Sequence, residues 1–182
     1  MGNKSNNSLF LGDSLTEFGN WEDLLPAAVI YNQGISGDLS SDVLDRLDMA
    51  INLEPAKIFL MIGVNDLAQE IPVGNIRNNI ISIGVKLKGA LPSSRLYLQS
   101  ILPINPGLRV FQDGFDYSEN IRLLNSLLKT ECKDPFYEFI DLHPEFANEA
   151  GHLKGVYTTD GLHLNNAGYQ RWAEILKRTG NF

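Results

Sequence analysis

The stretch "LFLGDSLTEF", residues 9–18, begins as three apolar residues and breaks at Gly12 into a carboxylate and a hydroxyl, Asp13 and Ser14. Glycine, aspartate and serine are ordinary turn residues, so the segment reads first as a short strand that ends in a turn. The same order would also set a reactive hydroxyl at the carboxyl end of a strand. What the other strand ends carry decides between the two.

Further apolar runs fall at 29–32, 57–62, 96–102 and 138–142. Their nearly continuous apolar character is that of parallel strands covered on both faces. Segments of helical period lie between them. Val43, Leu44, Leu47, Ala50 and Ile51 form one stripe, and Ile76, Ile80, Ile83, Leu87 and Leu91 a second. Tyr117, Ile121, Leu124 and Leu128 form a third, and Tyr169, Trp172, Ala173 and Leu176 a fourth, each a packing face. Strands alternating with helices predict right-handed crossovers and an α/β fold, a parallel sheet with helices on both sides. In that architecture ligands bind outside the carboxyl ends of the strands.

Length and composition narrow the class. A chain of 182 residues fits one domain, expected over residues 1–182, with a core that needs no staples. Hydrophobic residues at 43% and charged residues at 20% exclude a disordered chain. A net charge of −7 argues against nucleic acid and anionic membrane surfaces as partners. The lone cysteine, Cys132, cannot form an internal disulfide, and its place on an amphipathic segment gives it a structural role. The start, "MGNKSNNS", lacks a secretory apolar stretch and misses an N-myristoylation pattern at Asn6. With no run long enough to span a membrane, a soluble cytoplasmic protein is expected.

The residues after the strands fit acyl transfer. Ser14 follows the first, "NQGISGD" with Gly34 the second, and "GVND" with Asn65 and Asp66 the third. "TDGLHLNNAGY" places Asp160 and His163 three residues apart near the end of the chain. A serine hydroxyl needs a base, imidazole suits neutral pH, and a carboxylate holds the other ring nitrogen. The developing oxyanion needs fixed donors, which the N–H groups of Ser14 and Gly34 and the amide of Asn65 would supply. Taken singly, each motif is a common turn: Gly34 and Gly37 would serve a tight βα turn, and Asp66 a helix cap. The joint order carries the reading.

These blocks resemble the GDSL, or SGNH, hydrolases: "GDSLT" around Ser14, "NQGISGD" around Gly34, "GVND" around Asn65, and "DGLHLN" with Asp160 and His163. The likeness runs from Phe10 to Tyr169. It implies a three-layer α/β/α sandwich with a five-stranded parallel, flavodoxin-like sheet. It also implies Ser14 as nucleophile, His163 as base and then acid, Asp160 as its partner, and Ser14, Gly34 and Asn65 as the oxyanion hole. The compact form is most similar to platelet-activating-factor-acetylhydrolase-like and carbohydrate-acetylesterase-like members. The resemblance thus points to a serine esterase for a small ester, such as an O-acetylated sugar, with no cofactor and no metal.

Alternatives remain at this point: a lysophospholipase or thioesterase, a transacylase, and a sugar-binding or scaffold protein without turnover. An α/β-hydrolase elbow is excluded because Thr16 stands where its second glycine belongs, and no phosphate-binding P-loop run occurs. A metal on Asp13, Asp38 and His163 lacks a ligand-rich spacing. His143, beside Asp141, reads as a loop histidine, and His152 as exposed. Trp21, Phe111, Phe115 and Tyr117 are candidates to line a pocket, with Arg109 to hold an anionic group in the long loop 103–116. Thr16 and Ser36 are candidates for hydrogen bonds near Ser14. The partner expected is a small-molecule ester, with a dimer possible.

Overall fold

The computed structural model describes residues 7–108, 116–132, 137–180 and 182. Five strands, β1 (Asn7–Gly12), β2 (Val29–Gly34), β3 (Lys57–Met61), β4 (Arg95–Gln99) and β5 (Tyr137–Ile140), form one parallel sheet in the order β2-β1-β3-β4-β5. The chain runs outward from β1 to β2, then crosses back to β3. That reversal opens a crevice at the carboxyl end of β1, where open α/β sheets bind ligands.

Strand side chains alternate between faces. Phe10, Phe59 and Tyr97 are paired in register across β1, β3 and β4 and stack in a row, with ring centroids 5.0 and 4.7 Å apart. Trp21, on α2 (Trp21–Leu24), stacks on Phe10 at 4.3 Å, and Trp172, on α9 (Asn166–Arg178), meets Trp21 edge-on at 4.9 Å. One face of the sheet is therefore an aromatic core under α2 and α9. Trp21 and Tyr117, read as possible pocket walls, are both buried, and Trp21 belongs to this core.

The opposite face carries Leu9, Leu11, Ile58, Leu60, Leu96 and Leu98, all buried. The aliphatic stripes that cover it lie on α3 (Ser40–Asp45), α4 (Leu47–Asn52), α6 (Val73–Ala90) and α7 (Ser118–Glu131). The stripe 43–51, expected as one helix, is two, interrupted at Arg46. The apolar run 96–102 leaves the sheet after Gln99, because Asn125 on α7 takes over the backbone of Ile101. Its Oδ1 accepts the Ile101 N–H at 2.8 Å and its Nδ2 donates to the Ile101 carbonyl at 2.9 Å.

Cys132 caps the end of α7, and burial beside Glu131 pushes its thiol up to about 11, which leaves it protonated at neutral pH. Among the described residues, no helix is long and apolar enough to cross a membrane. Arg109, Phe111 and Phe115 lie outside the described residues.

Candidate active site

β1 ends at Gly12, and α1 (Ser14–Glu17) begins two residues later. Asp13 caps this short helix: its Oδ1 accepts the Leu15 N–H at 3.0 Å, and its carbonyl accepts from Thr16 and Glu17. The turn fixes Ser14 at the mouth of the crevice with its backbone N–H on the first turn, where helical N–H groups lack a partner within the helix. Tyr169 on α9 holds the turn from below, its hydroxyl donating to the Leu15 carbonyl at 2.9 Å.

The loop before α9 brings the second half of the site. Asn105 N–H donates to the Gly161 carbonyl at 2.7 Å, and Asn165 caps α9 through the Gly168 N–H. Between these anchors Asp160 Oδ1 accepts the N–H groups of Leu162 and His163 at 2.9 and 2.8 Å. Its Oδ2 lies 2.7 Å from His163 Nδ1, and His163 Nε2 lies 3.1 Å from Ser14 Oγ. Burial pushes the Asp160 carboxyl up, but the His163 ring and the two backbone N–H groups outweigh it and hold the group below the usual carboxylate range. Asp160 is thus ionised at neutral pH and suited to stabilise a positive imidazole. The exposed Phe18 ring rests against the His163 ring, centroids 5.4 Å apart.

Ser14 and His163, 149 positions apart, and Asp160, three residues before His163, therefore meet in one hydrogen-bonded line. His143 does not share this line. It opens α8 (His143–Phe146) with its N–H on Ser100 Oγ at 2.8 Å, and burial lowers its proton affinity against the pull of Asp141. His152 is half-buried rather than exposed, 4.0 Å from Asp116.

On the other side, Asn65 opens toward the loop after β2 from α5 (Val64–Ala68), its Nδ2 donating to the Asp38 carbonyl at 3.0 Å. Gly34 behaves differently from the expectation. Its N–H already donates to Asn32 Oδ1 at 3.0 Å, and a β-carbon there would sit 2.2 Å from Glu17 N. The glycine is required for close packing of β2 on α1, not for an open donor. Gly37 has φ +85°, and a β-carbon on it would meet nothing within 4 Å. Among the described residues its N–H has no hydrogen-bond partner in the turn.

Two residues that residue types alone did not single out organise this corner. Asn32 Nδ2 donates to the carbonyls of Thr16, Glu17 and Gly19, closing the end of α1. Glu17 Oε2 accepts the Ser36 N–H at 2.8 Å and also its hydroxyl, tying α1 to the loop after β2. Thr16 is buried, and its carbonyl also accepts Trp21 Nε1 at 2.8 Å.

Asp13 and Asp66 are fully buried carboxyls behind Ser14 and Asn65. Asp66 accepts the Ser40 N–H at 2.9 Å and its hydroxyl at 2.5 Å. Burial, reinforced by Asp66 and Asp38, raises Asp13 to about 7 despite the Leu15 N–H. The folded protein then holds a proton that the unfolded chain releases near 3.8, so stability falls as pH climbs from about 4 to about 7. The loss is on the order of 4 kcal/mol at most. Asp13→Asn keeps the acceptor for Leu15 and cannot ionise. Its unfolding free energy minus that of the native protein will rise across that window in denaturant titrations. A constant difference would mean that Asp13 is ionised in the fold. Among the described residues, no cluster of three or more His, Cys, Asp or Glu side chains could hold a metal ion.

Residues 10–171 match the model of the GDSL-like lipase/acylhydrolase family. A structure described as a candidate platelet activating factor from Streptococcus pneumonia superposes with a TM-score of 0.88 at 33% identity, over 96% of this chain and 84% of that one. A GDSL-like lipase from Bacteroides thetaiotaomicron gives 0.77 at 26% identity, over 96% and 87%. An acetyl-xylooligosaccharide esterase from Geobacillus Stearmophilus, at 19% identity, shares the fold with a TM-score of 0.76 over 97% and 94%. No curated protein sequence matches the chain. The sheet order, the strand-end placement of the site and the span of the match lead to one assignment: this chain is a carboxylic ester hydrolase and belongs to the GDSL-like lipase/acylhydrolase family.

Proposed function

We propose that the protein hydrolyses short-chain carboxylic esters through an acyl intermediate on Ser14. The observation that carries this reading is the pair of contacts at 3.1 and 2.7 Å joining Ser14 Oγ, His163 and Asp160 Oδ2. Ser14 Oγ attacks the ester carbonyl carbon while His163 Nε2 takes its proton, and Asp160 holds Nδ1–H and stabilises the imidazolium. The carbonyl oxygen becomes an oxyanion that the Ser14 N–H and Asn65 Nδ2 stabilise, joined by the Gly37 N–H in place of the engaged Gly34 N–H. The C–O bond to the alcohol then breaks, and the leaving oxygen takes the proton from His163. Water repeats the sequence on the acyl-enzyme, with His163 again as base, and frees the acid.

The short acyl group is supported by what flanks the pair. Among the described residues, Phe18 and Ile35 are the exposed large apolar side chains on the loops after β1 and β2. Each buried methylene contributes about 0.8 kcal/mol, so two side chains reward a few carbons and leave a long tail in water. An O-acetylated sugar fits that limit.

Nitrophenyl acetate, butyrate and octanoate distinguish these claims. We expect kcat/KM for octanoate to be no higher than for acetate, since unburied methylenes add nothing. A preference for octanoate would overturn the short-acyl reading in favour of a lysophospholipase-like one. A fluorophosphonate should modify Ser14 alone, as read by peptide mass spectrometry; label at another residue would remove the acyl-Ser14 step. Product analysis with a sugar acceptor present separates hydrolysis from transfer.

A further inference from the structure

We propose that Arg46 is a positioning residue for the oxyanion side of the site, acting through Asp38 on Asn65. The inference rests on the acyl-serine reading above. Arg46 stands at the break between α3 and α4, remote in sequence from Ser14, Asn65 and His163. Its guanidinium is mostly buried, and its Nε and Nη2 bond the carboxyl ends of two strands and the loop after the second. Nε donates to Asp38 Oδ2 at 2.7 Å, while Nη2 donates to the Gly12 carbonyl at 3.1 Å and the Gln33 carbonyl at 2.9 Å. Gly12 is the last residue of β1, immediately before Asp13-Ser14, and it pairs in register with Gly34. One cation thereby fixes the spacing between the serine turn and the loop 34–38.

The next link is Asp38 itself. Its carboxylate is held by Arg46, and its backbone carbonyl accepts one amide hydrogen of Asn65 at 3.0 Å. A planar amide with one N–H pinned has its second N–H aimed in a fixed direction, which is the preorganisation an oxyanion donor needs. If the 34–38 loop drifts, Asn65 and the Gly37 N–H drift with it. A buried ion pair is weak evidence for a stabilising role, because desolvation offsets the attraction, whereas a fixed fork specifies geometry. Lysine cannot replace it: an ammonium is a point charge that cannot span a carboxylate and two carbonyls in one plane.

The test is a double-mutant cycle on nitrophenyl acetate. Arg46→Lys should lower kcat by about tenfold or more with KM within threefold, since small misplacements of catalytic groups cost up to about 10²-fold. In an Asn65→Ala background, where kcat is already reduced about 10²–10³-fold, the same change should cost less than about twofold. An equal loss in both backgrounds, no loss in the native background, or a loss confined to KM would overturn the role. Should Arg46→Lys fail to fold, as read by thermal melting, Asp38→Asn enters the same cycle with the same criteria, because it leaves the Gly12 and Gln33 contacts intact. Ser14→Ala separates the two claims: residual full activity would refute the acyl-serine reading, whereas an inactive Ser14→Ala with an additive cycle refutes only Arg46.

Discussion

Ser14→Ala is expected to lower kcat for nitrophenyl acetate by about 10⁵–10⁶-fold, close to the rate supported by binding and oxyanion donors alone. The size follows from removing the only atom that forms the acyl bond in the proposed sequence. His163→Ala should cost a similar factor, because among the described residues the base bonded to Ser14 Oγ is His163, its Nε2 at 3.1 Å. The double variant should be no worse than either single one, since the hydroxyl and the imidazole act as one unit. The checks are steady-state kinetics against the nitrophenol background, and circular dichroism to show that the fold is kept. Additive losses would mean that the two groups act in separate steps and would break the proposed relay.

The fold was legible because its physics is local. Covered strands of a parallel sheet are mostly apolar, as the inner runs 9–11, 57–62 and 96–102 show, while the edge runs 29–32 and 138–142 carry polar residues among their apolar ones. Where boundaries moved, a tertiary partner had moved them: Asn125 ends β4 by capturing Ile101, and the single helix expected at 43–51 breaks at Arg46. The site was half legible. Ser14 is marked by residue type and by its place at a strand end, Asp160 and His163 by their three-residue spacing just before the last helix. The glycine was not, because Gly34 and Gly37 look alike in a turn-rich stretch, and only the path of the chain shows whose N–H is engaged. Arg46 and Asn32 left no trace at all. Their side chains bond backbone carbonyls, which every residue has, so no spacing rule exposes them. Trp21 misled in the opposite direction, since an aromatic beside a loop can equally be the floor of a core.

Asp160→Asn should reduce kcat by about 10⁴-fold with KM nearly unchanged, and the reason lies in how the carboxylate is already divided. Oδ1 accepts two backbone N–H groups, from Leu162 and His163, while Oδ2 faces the imidazole Nδ1. In asparagine the carbonyl oxygen will keep the two N–H donors, because an amide nitrogen cannot accept them. The NH₂ is then forced toward Nδ1, which must accept, so the ring proton moves to Nε2 and can no longer be replaced by that of Ser14. The loop stays in place, and the melting temperature should change little. Asp160→Ala behaves differently: it leaves the Leu162 and His163 N–H groups without their acceptor but lets the ring keep its productive tautomer. The alanine variant should therefore be less stable than the asparagine variant yet no less active. If Asp160→Asn retained more than about a tenth of native kcat, Asp160 would be only an anchor for the loop, and His163 would need another group to orient it.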